Sequence, residues 1–316
     1  MVRYILERFL LSLLTLFCII SLTFLMTELA PGDFLSTYSG MDAEVSEEAV
    51  ASTRESLSLD KPLKRYMMWI GRVVRGDLGH SLISHTNITK LIMRRLGQTM
   101  LLMTTAILLS VVIGNGLGIL AGLKANTLLD YVLTILAFVT VSIPGFFIGM
   151  LFIYIFAVKL KILPTGGISS YSSNTILDLL RHLILPSIVL TLKDIAIYAR
   201  FARASVLEVL SATYVTTAYA KGLKHKTVVT KHVVRNALMP IVTVIGTRLP
   251  RIFGGALIIE TVFSWPGVGL LAFNAISSRD YPVIMGVTLV IGTVVLLINF
   301  IVDMCYMLVD PRIRYA

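Results

Sequence analysis

The sequence predicts an all-α polytopic membrane protein with six transmembrane helices. Three observations carry that class. Of the 316 residues, 56% are hydrophobic, and the mean hydropathy is +0.84. Only 15% are charged, against about 25% in an ordinary soluble domain. Four uncharged stretches reach the roughly 20 residues that a spanning helix needs. A soluble chain of this size has too little interior to hide so much apolar surface. Disordered chains and disulfide scaffolds are excluded on the same grounds. The net charge of +10, from 28 Lys and Arg against 18 Asp and Glu, would suggest nucleic acid in a soluble protein. Here the placement of the cations accounts for it.

The first stretch, 9–27, follows Arg3 and Arg8. Its uncharged length exceeds a signal-peptide core and no A-x-A site follows closely, so it reads as a retained anchor. The second, 96–123, lies between Arg95 and Lys124, and the third, 131–158, between Asp130 and Lys159. The last, 283–302, ends at Asp303. Two further apolar segments carry charges: 183–201 contains Lys193 and Asp194, and 240–262 contains Arg248, Arg251 and Glu260. Cations in short loops mark the cytoplasmic side. They gather at the N-terminus, in 202–239 (Arg203, Lys221, Lys224, Lys226, Lys231 and Arg235 against Glu208) and in the tail with Arg312 and Arg314. Both termini are therefore expected in the cytoplasm. The chain divides into 1–29 (tail and first span), a 30–95 outer loop, and a 96–316 core that includes the 202–239 loop.

Within the outer loop, Leu63, Tyr66, Met67, Ile70, Val73 and Val74 recur at helical spacing among Lys61, Lys64, Arg65, Arg72 and Arg75. This is an amphipathic helix. With Trp69 as an interfacial aromatic it is expected along the outer membrane surface, the alternative being a small cap packed on the helix ends.

The 202–239 loop has a pattern of its own. Residues 204–219 read as helix. Gly222 supplies a positive φ to end it in a tight turn, and a second helix over 227–238 is expected to stop at Pro240. A short helix, a glycine turn and a return helix make a knob that fits a groove on a soluble partner.

Thr213-Tyr-Val-Thr-Thr-Ala-Tyr-Ala-Lys-Gly-Leu223 and Arg235-Asn-Ala-Leu-Met-Pro240 resemble the EAA-type coupling loop of binding-protein-dependent ABC importer permeases. The dipeptide, oligopeptide and nickel branch is the most similar. Further matching pieces run in order along the chain: Pro31-Gly-Asp33, Leu59-Asp-Lys-Pro-Leu63, Gly76-Asp-Leu-Gly-His-Ser81, Leu163-Pro-Thr-Gly-Gly167, Arg203-Ala-Ser205, Glu260-Thr-Val-Phe-Ser-Trp-Pro-Gly267, Arg279-Asp-Tyr-Pro-Val283 and Asp310-Pro-Arg-Ile-Arg314. The family pattern has Glu-Ala-Ala three residues before the glycine. Thr216, Thr217 and Ala218 stand there instead, so the acid and one alanine are missing.

The resemblance implies a type I ABC importer permease fold with a cytoplasmic coupling helix, in a bacterial or archaeal inner membrane. It implies a second homologous permease, two cytoplasmic ATPases and an extracytoplasmic binding protein. Tyr214, Thr216, Thr217, Ala218, Ala220, Lys221 and Gly222 would form the ATPase-coupling surface. Peptides are the first substrate class implied and nickel chelates the second. The chain itself would bind no cofactor; ATP and Mg would be used by the partners. In agreement, no G-x-x-x-x-G-K-[ST] occurs, and Gly114-Asn-Gly116-Leu-Gly118 suits close helix packing.

Arg248 and Arg251, three apart, share a helix face. Charges in a span face a partner or a watery cavity. They therefore either line the substrate pathway, with Lys193, Asp194 and Glu260 as further candidates, or pair structurally with an acid such as Asp194 or with the second permease. Glu260 suits a gate contact or a turn-stabilising role equally. His80, His85, His182, His225 and His232 form no HExxH, so no metal site is expected. Cys18 and Cys305 sit in apolar runs as small hydrophobes. No catalytic set is present, which disfavours an intramembrane enzyme. A stand-alone secondary transporter, the rival class, would show an internal repeat with paired broken helices; none is evident, and the basic knob would be left without a role.

Overall fold

The computed structural model describes residues 2–30, 62–170 and 175–309, and the side chain of Arg251 is outside that description. So are Pro31-Gly-Asp33, Leu59-Asp-Lys61 and the tail from Asp310. The described residues form no β-strand, and their helices, in order, are α1 (Val2–Leu29), α2 (Pro62–Val74), α3 (Ile88–Leu123), α4 (Leu128–Ser142), α5 (Gly145–Phe152), the π-helix π1 (Ile153–Lys159), α6 (Ile176–Leu210), α7 (Thr213–Ala220), α8 (His225–Thr227), π2 (Val228–Val234), α9 (Arg235–Val262), α10 (Val268–Ser277) and α11 (Tyr281–Val309).

Four helical stretches are long and apolar enough to cross a membrane: Ile5–Leu29, Ile88–Leu123, His225–Arg248 and Tyr281–Cys305. A further pair of apolar helices passes that test only when taken together. The expected helix over 131–158 divides into Leu128–Ser142 and Gly145–Lys159, bent by 102°. Pro144 lacks an N–H and pushes the preceding residue out of the helical region; Ile143 is extended at φ −87, ψ 134. The sixth expected span, 183–201, lies inside the 35-residue α6. By length and composition α6 is not among the candidate spans. It carries Lys193, Asp194, Arg200 and Arg203 along its length.

Two expectations for the 202–239 loop are corrected. The helix over 204–219 is interrupted at Ser211 and Ala212, where α6 ends and α7 begins. The return helix does not stop at Pro240 but runs on to Val262. Helices at membrane depth tolerate proline when neighbours and π adjustments satisfy the freed backbone groups. Here π2 lies just ahead of α9, and one residue past the Asn236 carbonyl that Pro240 cannot serve, Ser205 Oγ donates to the Ala237 carbonyl at 2.9 Å.

The chain forms two compact units, 1–98 with 266–316, and 99–265. In the first, α1 and α11 pack along each other. A Cβ at Gly292 would come within 3.0 Å of Leu16. Trp69 of α2 is buried with Ile20 and Met285. Tyr66 bonds Ser21 at 2.6 Å, and Arg65 pairs with Glu28. The packed-cap reading of α2 therefore holds over the surface-lying one, although Leu63 and Met67 stay exposed. In Gly76-Asp-Leu-Gly-His-Ser81, both glycines have positive φ. Ser81 Oγ donates to Asp280 Oδ2 at 2.5 Å, and the Leu82 N–H donates to Oδ1 at 3.2 Å. That motif is thus tied to Arg279-Asp-Tyr-Pro.

In the second unit α3 and α6 approach closely along glycines spaced by four. A Cβ at Gly114 would meet Tyr198 at 2.8 Å, at Gly118 the Ala199 carbonyl at 2.4 Å, and at Gly122 Val206 at 2.7 Å. Gly116, on another face, has nothing within 4 Å. Small residues let spanning helices touch backbone to backbone. The Leu163-Pro-Thr-Gly-Gly167 turn folds onto the end of α9, with the Gly167 N–H donating to Phe263 O at 2.8 Å. Phe263 and Trp265 beneath it are fully buried.

Candidate functional site

The knob is built on the ends of α6 and α9. Val206 of α6, Val215 and Ala218 of α7, Val228 and Val233 of π2 and Ala237 of α9 form one buried apolar cluster. Residues three apart on α7, Val215 and Ala218, face inward. Tyr214, Thr216, Thr217, Ala220, Lys221 and Gly222 are exposed. Ala218 therefore anchors the knob, and the outward face consists of its neighbours. Tyr219 and Leu223 join that face, two apolar contributors absent from the sequence-based set.

The turn after α7 is a Schellman motif: the Leu223 N–H donates to Ala218 O at 3.3 Å and the Gly222 N–H to Tyr219 O at 2.9 Å. Gly222 stands at φ +75, as its place in the sequence implied. Tyr219 Oη and His225 Nδ1 lie 2.9 Å apart across the turn.

The base is fixed by charge. Arg203 Nε donates to Asp130 Oδ1 at 2.6 Å and Nη2 to Oδ2 at 2.8 Å, a planar two-point pair. The Asn126 N–H adds a third bond to that carboxylate at 3.0 Å. Asp130 is buried. Both polar members of Arg203-Ala-Ser205 thus fasten the knob to neighbouring elements. Asp130 was visible in sequence only as the boundary of a span.

The second candidate region lies deeper. Arg248 Nη1 of α9 is 3.7 Å from Asp194 Oδ1 of α6. Of the two sequence readings for Arg248, the pairing with Asp194 is present. Lys193 points away from Asp194, as adjacent helical positions must. Arg248 also lines a cleft of about 290 Å³ with Ile197, Arg200, Phe201 and Ala204. Glu260 is fully buried and accepts from Thr99 Oγ1 at 2.6 Å, so its carboxylate serves contacts within the chain.

Several long apolar helices, with the short α7 outside the candidate spans, mark a multi-pass membrane protein. The chain belongs to the family described as the binding-protein-dependent transport system inner membrane component, which matches residues 114–315; the N-terminal part of such components matches 1–103. It is 43% identical to a putative peptide permease of Brucella suis, over 99% of both chains. It is 37% identical to the oligopeptide transport system permease AppB of Bacillus subtilis, over 100% of both chains. It is also 37% identical to the glutathione transport system permease GsiC of Escherichia coli, again over 100% of both. Among solved structures, the inward-facing MetNI methionine ABC transporter has a chain with the same fold. The TM-score is 0.55 at 18% identity, covering 70% of this chain and 97% of that one. The protein is a permease subunit of an ABC importer in the inner membrane, and not itself an enzyme.

Proposed function

We propose that this permease imports di- and oligopeptides handed over by an extracytoplasmic binding protein. It forms one pore with a second homologous permease, above two cytoplasmic ATPases. The peptide assignment rests on the relatives' names. The observation that carries the coupling role is the knob: an exposed α7 face on a base held by a buried apolar cluster and the Asp130–Arg203 pair. A knob so held moves as one body when a partner groove closes on it. That motion biases the spans between inward- and outward-facing states. Tyr214, Thr216, Thr217, Ala220, Lys221 and Gly222 meet the ATPase, with Ala218 as their anchor. Arg248, Arg251, Lys193 and Asp194 are the pathway candidates, with Glu260 shaping the wall beside Thr99. ATP and Mg are used by the partners alone, and both termini lie in the cytoplasm.

The test is co-expression with the neighbouring transport subunits, reconstitution into vesicles and uptake of labelled peptides. ATP-dependent peptide accumulation that is lost on Ala220→Arg, with the spans still folded, is the expected result. Uptake by this chain alone, or uptake of nickel chelates but no peptide, would overturn the reading.

A further inference from the structure

The two carboxylate–guanidinium contacts of the second unit differ in kind. Asp130 and Arg203 meet at 2.6 and 2.8 Å. Asp194 and Arg248 stand 3.7 Å apart, beyond hydrogen-bond reach. Their side chains keep 18% and 25% of their exposure. Both side chains are nonetheless mostly buried. Asp194 is nine residues before Arg203, about 13 Å along α6 at 1.5 Å per residue. A charge at that depth is retained where a watery cavity or a partner meets it.

The cleft beside the pair supplies that cavity. Its polar wall is cationic: Arg248 from α9 and Arg200 from α6. The Arg200 guanidinium lies 4.8 Å from the centre of the Phe138 ring. Among the described residues no carboxylate pairs with Arg200. The wall thus holds two guanidiniums and no carboxylate, and only Arg248 has a carboxylate, Asp194, within 4 Å. The remaining wall, Ile197, Phe201 and Ala204, is apolar. The complementary ligand end has one negative charge beside an apolar body.

We infer that Arg248 is a carboxylate-exchange site in which Asp194 stands in for the C-terminal carboxylate of the peptide being carried. The inference rests on the peptide reading above. In the resting chain Asp194 compensates the Arg248 charge without binding it tightly. An arriving peptide carboxylate takes the guanidinium in a two-point contact and Asp194 is released. The incoming carboxylate replaces Asp194 at Arg248, and the displaced Asp194 carboxylate, still partly exposed, keeps its charge against water. Arg200, six residues nearer the knob end of α6, is the next cation the carboxylate meets. Phe138 holds it in place.

The experiment uses the complete reconstituted transporter and one labelled peptide in two forms, free acid and C-terminal amide. The binding protein's own preference is common to every preparation and cancels in the ratio of the two uptake rates. Arg248→Gln is expected to lower the acid-to-amide ratio about tenfold, the loss of one charge-assisted contact. Asp194→Asn, which removes the competing carboxylate, is expected to raise it. If Arg248→Gln does not assemble, Arg248→Lys, which keeps the charge but loses the planar fork, should lower the ratio less. Ratios at the wild-type value in the assembled variants, or a shift in the same direction for Arg248 and Asp194 variants, would overturn the inference. Wild-type transporter that carries neither form would instead overturn the peptide reading.

Discussion

The base of the knob and the cleft beside Arg248 use the same chemical pair to opposite ends. At the base, Arg203 and Asp130 meet at hydrogen-bond distance with the Asn126 N–H closing the set. At the cleft, Arg248 stands 3.7 Å from Asp194 and itself lines open volume. A transport subunit needs one part that transmits motion without yielding and another whose contacts can be replaced. Geometry decides which is which, since the residue types are identical.

The largest effect expected from breaking this contrast is at the base. Asp130→Ala leaves Arg203 without its carboxylate and should cost about 3 kcal/mol, the low end for a buried pair because Arg203 is partly exposed. Arg248→Gln should cost about 1 kcal/mol or less. Unfolding of the two purified variants in mixed micelles compares them directly. Equal losses would erase the distinction.

The next effect sharpens what rigid means. Gly118→Ala drives a Cβ into the Ala199 carbonyl at 2.4 Å, so α3 and α6 must separate, at about 2 kcal/mol. Gly116→Ala meets nothing and should gain up to about 1 kcal/mol of helix propensity. Thermal midpoints of the pair give the sign.

Gly222→Ala comes third. It meets no atom within 4 Å but sits at φ +75, so only backbone strain opposes it, about 1 kcal/mol. The more telling readout is substrate-stimulated ATP hydrolysis, which should fall further than stability does.

The smallest expected effect lies outside both regions. Ser170 donates to the Asp178 carboxylate through its N–H at 2.6 Å and its Oγ at 2.7 Å. These bonds, with His182 and Arg181 nearby, hold the Asp178 pKa below its ordinary value. A depressed carboxylate contributes stability above its unfolded pKa, and that contribution is lost as pH falls through the folded one. The tie should therefore be intact at neutral pH and weaken only below about pH 4. Asp178→Asn should remove that acid-side dependence, read from stability against pH.

Much of this was legible in the sequence. Apolar runs marked the spans because lipid demands them, and Gly222 marked its turn because few other residues tolerate that φ. The spacing of Gly114 and Gly118 pointed to close packing, and Gly122 continues it. What could not be read was long-range pairing. Asp130 and Arg203 are far apart in the chain, as are Ser81 and Asp280, and no local period announces either bond. Pro144 and Pro240 look alike as helix breakers, yet one bends a span by 102° and the other is absorbed. The difference lies in the neighbours: the wide turn π2 precedes Pro240, and among the described residues no such turn precedes Pro144.

The π2 turn has a consequence for rotation. A π turn takes up one residue more than an α turn, and in an α-helix each residue advances the facing direction by about 100°. Everything after Val234 is therefore dialled round by about that angle relative to a helix wound regularly from His225. With that offset in place, Arg248 stands 3.7 Å from Asp194. Removing one residue between Val228 and Val234 would restore regular winding and swing the guanidinium off the cleft, leaving every side chain of α9 intact but aimed elsewhere. The wide turn acts as the phase setting of the helix, fixing an orientation about four turns away.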